Sequence, residues 1–172
     1  MVPICYYDQI NIQPLILNPK SRGRVTINST SPFDQPLIYP NYFRDSRDID
    51  TMIDSFKFVQ KLKDSSVLKN AGYIVNDTFL PRRKDLETGG NPYWKVVPRI
   101  ASFSICHPCC TCKMGPSNDP GSVVDPHLRV HGIQHLRVVD GSIMPTIPSG
   151  PTNAAIIMIA EKVSDMIKNT WI

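Results

Sequence analysis

Apolar residues recur at three- and four-residue steps between Asp45 and Leu62, where Ile49, Met52, Ile53, Phe56 and Val59 fall on one side of a helical wheel. This predicts an amphipathic helix with Ser46 as its N-cap. Residues 10–17 and 24–27 are rich in aliphatic side chains and flank Pro19-Lys20-Ser21-Arg22-Gly23, which predicts two strands joined by a turn. Residues 77–92 are polar and hold Pro81 and Gly89-Gly90, the make-up of a long, mobile surface connection. Residues 93–105 are apolar enough for a buried helix, limited in its first part by Pro98, that delivers His107 at its end. Leu128-Arg129-Val130 and Leu136-Arg137-Val138-Val139-Asp140 alternate around His131-Gly132, which predicts a hairpin-like return, and Asp140-Gly141 turns the chain again. From Ala154 to Lys168 few breakers occur. That segment predicts a helix, opened by Pro151 and Thr152-Asn153, whose positive N-terminal end is free to face an anion.

Length and composition narrow the class. A chain of 172 residues, 41% hydrophobic and 20% charged, can bury the core of one compact unit without a metal or disulfide. The net charge of +4 is spread along the sequence. Its basic groups, Lys20, Arg22 and Arg24 or Arg82, Arg83 and Lys84, lack interleaved aromatics, so they read as solvated surface and no nucleic-acid partner is expected. No apolar run reaches the roughly 18 residues of a membrane span, and the first residues lack the order of a signal peptide. The sequons Asn28-Ser29-Thr30 and Asn76-Asp77-Thr78 nevertheless point to a secreted, extracellular protein. Sixteen scattered prolines read as turns in an irregular mixed fold.

Chemistry concentrates between residues 106 and 112, where Cys106, Cys109, Cys110 and Cys112 surround His107. Zinc binding needs a second ligand group from a distant knuckle, and Cys5 stands alone, which weighs against a metal. A disulfide is open to a secreted protein, although adjacent cysteines such as Cys109 and Cys110 are sterically awkward partners. Small buried cysteines are the simpler reading. His127, His131 and His135 recur at four-residue intervals along two short segments and the turn between them, and are expected at the surface.

His107 heads the stretch His107-Pro108-Cys109-Cys110-Thr111-Cys112-Lys113-Met114-Gly115, which resembles the His-x-x-Gly-Thr-Cys-x-Met pattern of the glucose-methanol-choline oxidoreductases. Downstream, Val123-Val124-Asp125-Pro126, Leu128-Arg129-Val130-His131-Gly132, the run Leu136 to Pro145, Ser149-Gly150 and Thr152-Asn153-Ala154 follow in that family's order. Upstream, Asn18 to Gly23, Pro32-Phe33-Asp34 and Pro40-Asn41-Tyr42 look like the opening of its substrate domain. The resemblance covers nearly the whole chain and is closest to the insect-type FAD glucose dehydrogenase branch.

The resemblance implies an α+β fold, a mixed and largely antiparallel sheet flanked by helices, of the FAD-linked reductase C-terminal domain type. Residues 1–172 would form the substrate-binding domain, with 136–172 returning to a flavin-binding domain in a complete enzyme. It further implies an FAD-dependent oxidoreductase acting on the CH–OH group of a small-molecule alcohol. His107 would take the hydroxyl proton while the carbon-bound hydrogen passes as hydride to flavin N5. An alkyl hydroxyl is a very weak acid, so the step needs a base that titrates near the working pH, and an imidazole, at about 6.5 when unperturbed, meets that need. Asp140, Gly141, Thr152, Asn153 and Ala154 match residues near the flavin, where a helix N-terminus can stabilise charge on the N1–O2 edge.

Three departures accompany the match. Pro151 stands where the family has a histidine or asparagine that hydrogen-bonds the substrate oxygen, and it can do neither. Cys110 replaces the glycine of the pattern. No Gly-x-Gly-x-x-Gly follows a strand, so the N-terminal dinucleotide-binding domain is expected to be lacking and the chain alone to bind FAD poorly. These departures suggest an alternative, a catalytically inactive relative acting as a secreted binding protein.

Overall fold

The computed structural model describes residues 12–74 and 91–171. Cys5, the start of the strand predicted over 10–17, the sequon at Asn76, the group Arg82, Arg83 and Lys84, and all but the last two positions of the 77–92 connection lie outside the described residues. In chain order the elements are β1 (Arg24–Thr26), β2 (Leu37–Tyr39), α1 (Ser46–Lys63), α2 (Ser66–Asn70), α3 (Asn91–Ala101), a 3-10 turn (Gly141–Ile143) and α4 (Asn153–Trp171). Composition suggested one compact unit, but the chain forms two: Met1–Ile16 with Tyr42–Ser102, and Leu17–Asn41 with Phe103–Ile172. The division has a physical basis, because each unit holds a hydrophobic cluster of its own.

In the first unit Phe43, Ile49, Met52 and Ile53 are buried, with Ile16, Phe56 and Trp94 packed against them. The buried face of α1 is therefore the stripe that its apolar spacing predicts. Its cap is Asp45 rather than Ser46. The Asp45 carboxylate accepts from the Arg47 amide at 3.0 Å, satisfying one donor of the first turn, and also pairs with the Arg47 guanidinium at 2.6 Å. An anion at the positive helix end outcompetes the neighbouring hydroxyl. Trp94 of α3 stacks on Phe56 of α1 at 4.6 Å between ring centroids. The helix runs through Pro98, which is buried beside Val97, yet Ile100 is exposed. It is thus half-buried, not buried, and it ends at Ala101, so residues 102–106 separate it from His107. It does not deliver that residue.

In the second unit β1 pairs antiparallel with β2, Arg24 opposite Tyr39 and Thr26 opposite Leu37. The predicted partner fails: residues 12–16 form no strand, and Pro14 among them lacks the N–H a ladder requires. Gly23 serves this ribbon, since a Cβ there would stand 2.5 Å from the Tyr39 carbonyl oxygen. The rest of the sheet character is a set of isolated bridges, Met114 to Val124 parallel and Val124 to Val130 and Arg129 to Arg137 antiparallel. The hairpin-like return is present, with Val130 N–H donating to Leu136 O, Val138 N–H to Leu128 O, and Gly132 at φ +77° in the turn. The fold is α+β as expected, with a smaller regular sheet among the described residues than "largely antiparallel" implied.

The core of this unit comprises Val124, Leu128, Ile143, Met144, Ile159 and Val163. Ala155, Ile156, Met166 and Ile167 pack against it. Together with Ile159 and Val163 they form one stripe of α4, which begins at Asn153, one residue before the predicted start.

Candidate active site

The stretch from His107 to Gly115 runs as a rail between two neighbours. On one edge the amides of Cys110, Cys112 and Met114 donate to the carbonyls of Gly141, Ser142 and Ile143 at 3.2, 2.9 and 2.8 Å. On the other, Val123 N–H donates to Lys113 O at 2.8 Å and Gly115 N–H to Val124 O at 3.0 Å. Asp140 shapes the 3-10 turn that bears these carbonyls: its carboxylate accepts from the Ser142 amide at 2.7 Å and from the Ser142 hydroxyl.

Gly141 is closely packed. A Cβ there would lie 3.1 Å from Ile156 Cδ1, 3.3 Å from Ile156 Cγ1 and 3.8 Å from Pro108 O. The residue after His107, the Asp140-Gly141 turn and the start of α4 therefore converge. Thr152 is buried and its carbonyl accepts from Ile156 N–H at 3.0 Å, opening α4, whereas Pro151, Asn153 and Ala154 are exposed. No acidic side chain lies in the first turn of α4, so the positive helix end is not neutralised by its own residues. His107 is half-buried. Far apart in sequence, Asn18 Nδ2 donates to Ser149 Oγ at 2.8 Å, which ties the Asn18 to Gly23 segment to the Ser149-Gly150 segment.

The cysteines are not small buried side chains. Cys106 is exposed, Cys109, Cys110 and Cys112 are half-buried, and all four are unbridged. Cys110 has φ +75°, in the left-handed region that favours glycine. Burial pushes its thiol up to about 12, with the hydrogen bond and charge of Cys109 acting in the same sense and the Arg22 charge against it. Among the described residues no three His, Cys, Asp or Glu side chains converge as a metal site.

Sequence reasoning placed three histidines at the surface, and one departs from that. His127 and His135 are exposed, but His131 is half-buried, its Nε2 3.1 Å from Gly115 O, so it fastens the far end of the rail. The available signal was its place inside the Leu128 to Gly132 motif. Asp125, also in a quoted motif, organises the neighbouring turn. Burial pushes its carboxyl up, but hydrogen bonds from the Arg129 side chain and from the Arg129 and His127 amides outweigh that and hold it below the usual carboxylate range. Asp119 is lowered by the Lys113 ammonium at 2.6 Å and by the Gly121 amide.

The order of these segments can be set against known proteins. A family profile described as GMC oxidoreductase matches residues 19–160. The chain belongs to the GMC oxidoreductase family. It is 41% identical over 162 residues to a glucose dehydrogenase (FAD, quinone) of Drosophila pseudoobscura pseudoobscura, covering 94% of this chain and 26% of that protein. To the mitochondrial choline dehydrogenase of Homo sapiens it is 39% identical over 165 residues, covering 93% and 26% respectively. A formate oxidase structure from Aspergillus oryzae RIB40, studied for its FAD modification, superposes with a TM-score of 0.79 at 30% identity, covering 91% of this chain and 26% of that one. This GMC chain thus spans about a quarter of the length of the relatives it matches.

Proposed function

We propose that this chain is the substrate-binding part, with the segment 136–172 facing the flavin, of an FAD-dependent oxidoreductase that oxidises the CH–OH group of a small-molecule alcohol. One observation carries the reading most strongly: the His107 rail, the Asp140-Gly141 turn and the start of α4 meet at Gly141, where even a methyl group would crowd Ile156. FAD fits this arrangement. Gly141 and Thr152 to Ala154 would lie along it, and a helix end without acidic neighbours suits an anionic edge. When bound, the flavin supplies the electron-accepting chemistry.

The chain's own residues have separate duties in this reading. An imidazole nitrogen of His107 accepts the alcohol's hydroxyl proton, an assistance worth roughly 10²- to 10⁴-fold in rate. The three hydrogen bonds from Cys110, Cys112 and Met114 to the 3-10 turn hold the segment that bears His107 against the turn that bears Asp140 and Gly141. Pro151 offers no N–H and so donates nothing to the substrate oxygen, whose hydroxyl donates to the His107 nitrogen. A secreted location accords with Asn28, an exposed residue between β1 and β2 in the first sequon.

The test is to purify the full-length gene product and examine it for bound flavin. A yellow protein that releases FAD on denaturation, and is bleached without oxygen by a member of a panel of sugar, choline-like, sterol and aliphatic alcohols, is the expected result. A colourless protein that releases no FAD contradicts the reading.

A further inference from the structure

We propose that Asn28 carries an N-linked glycan, transferred to it from a lipid-linked oligosaccharide. Such a glycan presupposes the secreted location proposed for this chain. Three features of the loop between β1 and β2 support it. Asn28-Ser29-Thr30 has the acceptor pattern, with no proline in the middle. All three residues are exposed, and no residue from 27 to 36 belongs to either hydrophobic cluster, so the loop stands clear of both cores. The loop is folded by its serines: Ser29 Oγ donates to Asp34 Oδ2 at 2.5 Å and accepts from Ser31 N–H at 3.0 Å, and Asp34 N–H donates to Ser31 O at 3.3 Å. Among the described residues none hydrogen-bonds the side chain of Asn28 or of Thr30.

The loop's own hydrogen bonds therefore engage the middle residue and leave free the two side chains that glycosyl transfer uses. The Asn28 carboxamide nitrogen attacks the anomeric carbon of a lipid-linked oligosaccharide diphosphate. An N–C bond forms, the anomeric C–O bond breaks, the lipid diphosphate leaves with the electron pair, and one carboxamide proton is released to solvent. Nothing is oxidised or reduced. The Thr30 hydroxyl is the hydrogen-bonding group by which the transferase reads the position two residues on.

The surroundings of Asn28 suit a sugar. Ile27 is 88% exposed and Phe33 91%, so two large apolar side chains stand in water at this tip. A groove beside Asn28 is lined by Ile27, Thr30, Pro32, Asp34 and Pro36. Its aliphatic and ring carbons match the C–H face of a proximal N-acetylglucosamine, and its hydroxyl and carboxylate groups match the polar edge. A bulky, hydrophilic glycan then screens apolar side chains that otherwise face solvent.

The experiment is peptide mapping of the full-length protein, expressed in cultured eukaryotic cells and recovered separately from medium and cytosol. Trypsin releases Asn28 in the peptide 25–44, between Arg24 and Arg44, and Asn76 in a different one, 70–82, so the two sequons are read apart. The expected result is that secreted protein yields peptide 25–44 only after peptide N-glycosidase treatment in oxygen-18 water, with Asn28 converted to a labelled aspartate. Asn28→Gln and Thr30→Ala should each lose the glycan from this peptide, and Thr30→Ser, which keeps a hydroxyl, should retain part of it. Unmodified peptide 25–44 in secreted wild-type protein, or a glycan that survives Thr30→Ala, would overturn the site. Wild-type mapping decides the matter even where a variant fails to fold. Protein confined to the cytosol with this peptide unmodified would overturn the site and the secreted location together. Flavin content and alcohol oxidation play no part in the readout, so the oxidoreductase reading fails separately.

Discussion

At Cys110 the backbone demands what the family's sequence pattern supplies. The pattern has glycine there, and φ +75° explains the choice, since a Cβ in the left-handed region meets its own carbonyl. Alanine and glycine both remove the thiol and differ only by the Cβ, so their comparison reads what a Cβ costs at this φ. Cys110→Gly should therefore be more stable than Cys110→Ala by about 1 kcal/mol in urea unfolding, reversing the ordinary order of these residues. Equal stabilities, or alanine ahead, would mean that the position carries no strain. The family resemblance singled out His107, Asp140, Gly141 and Thr152, and the residue after His107, Gly141 and the start of α4 converge. What spacing could not reveal was burial. Cys109, Cys110 and Cys112 are half-buried, and His131 turns inward to Gly115 O; both facts depend on contacts with chain segments distant in sequence.

Helices were more legible than strands. The apolar period of α1 marks its buried face directly, because a helix satisfies its backbone locally and only its stripe must match the core. Its cap was displaced by one residue, where two side chains of similar capping strength adjoin. Asp45→Ala should destabilise the first unit by about 1 kcal/mol, and Ser46→Ala by only a few tenths, in paired denaturant titrations. Equal losses would reassign the cap. The strands required partners instead. β1 was found, but its mate was sought at residues 10–17 rather than at β2, since the aliphatic run around Pro14 looks like a strand until the missing donor is counted. The return around His131-Gly132 did show in the alternation of its two segments, whereas the bridge from Met114 to Val124 is a single-residue contact that no alternating pattern marks.

Across the molecule, two clusters formed where composition suggested one, and the chemistry gathers in the second unit. That unit should be acid-sensitive through Asp125. Its carboxyl lies below the unfolded value of about 3.9, so its stabilisation is full above that pH and is lost as pH falls through the lower folded value. Asp125→Asn should be less stable than wild type by about 1 kcal/mol at neutral pH and converge with it in acid; a constant gap from pH ~7 down to ~2 would rule out this linkage. The chain covers about a quarter of its relatives' length, so catalysis must be measured in the full-length protein. The most direct measurement is the anaerobic rate of flavin bleaching by an alcohol, compared between wild type and His107→Ala at equal flavin content. The proposed base role predicts a rate at least ~10²-fold lower in the variant. An unchanged rate would contradict it.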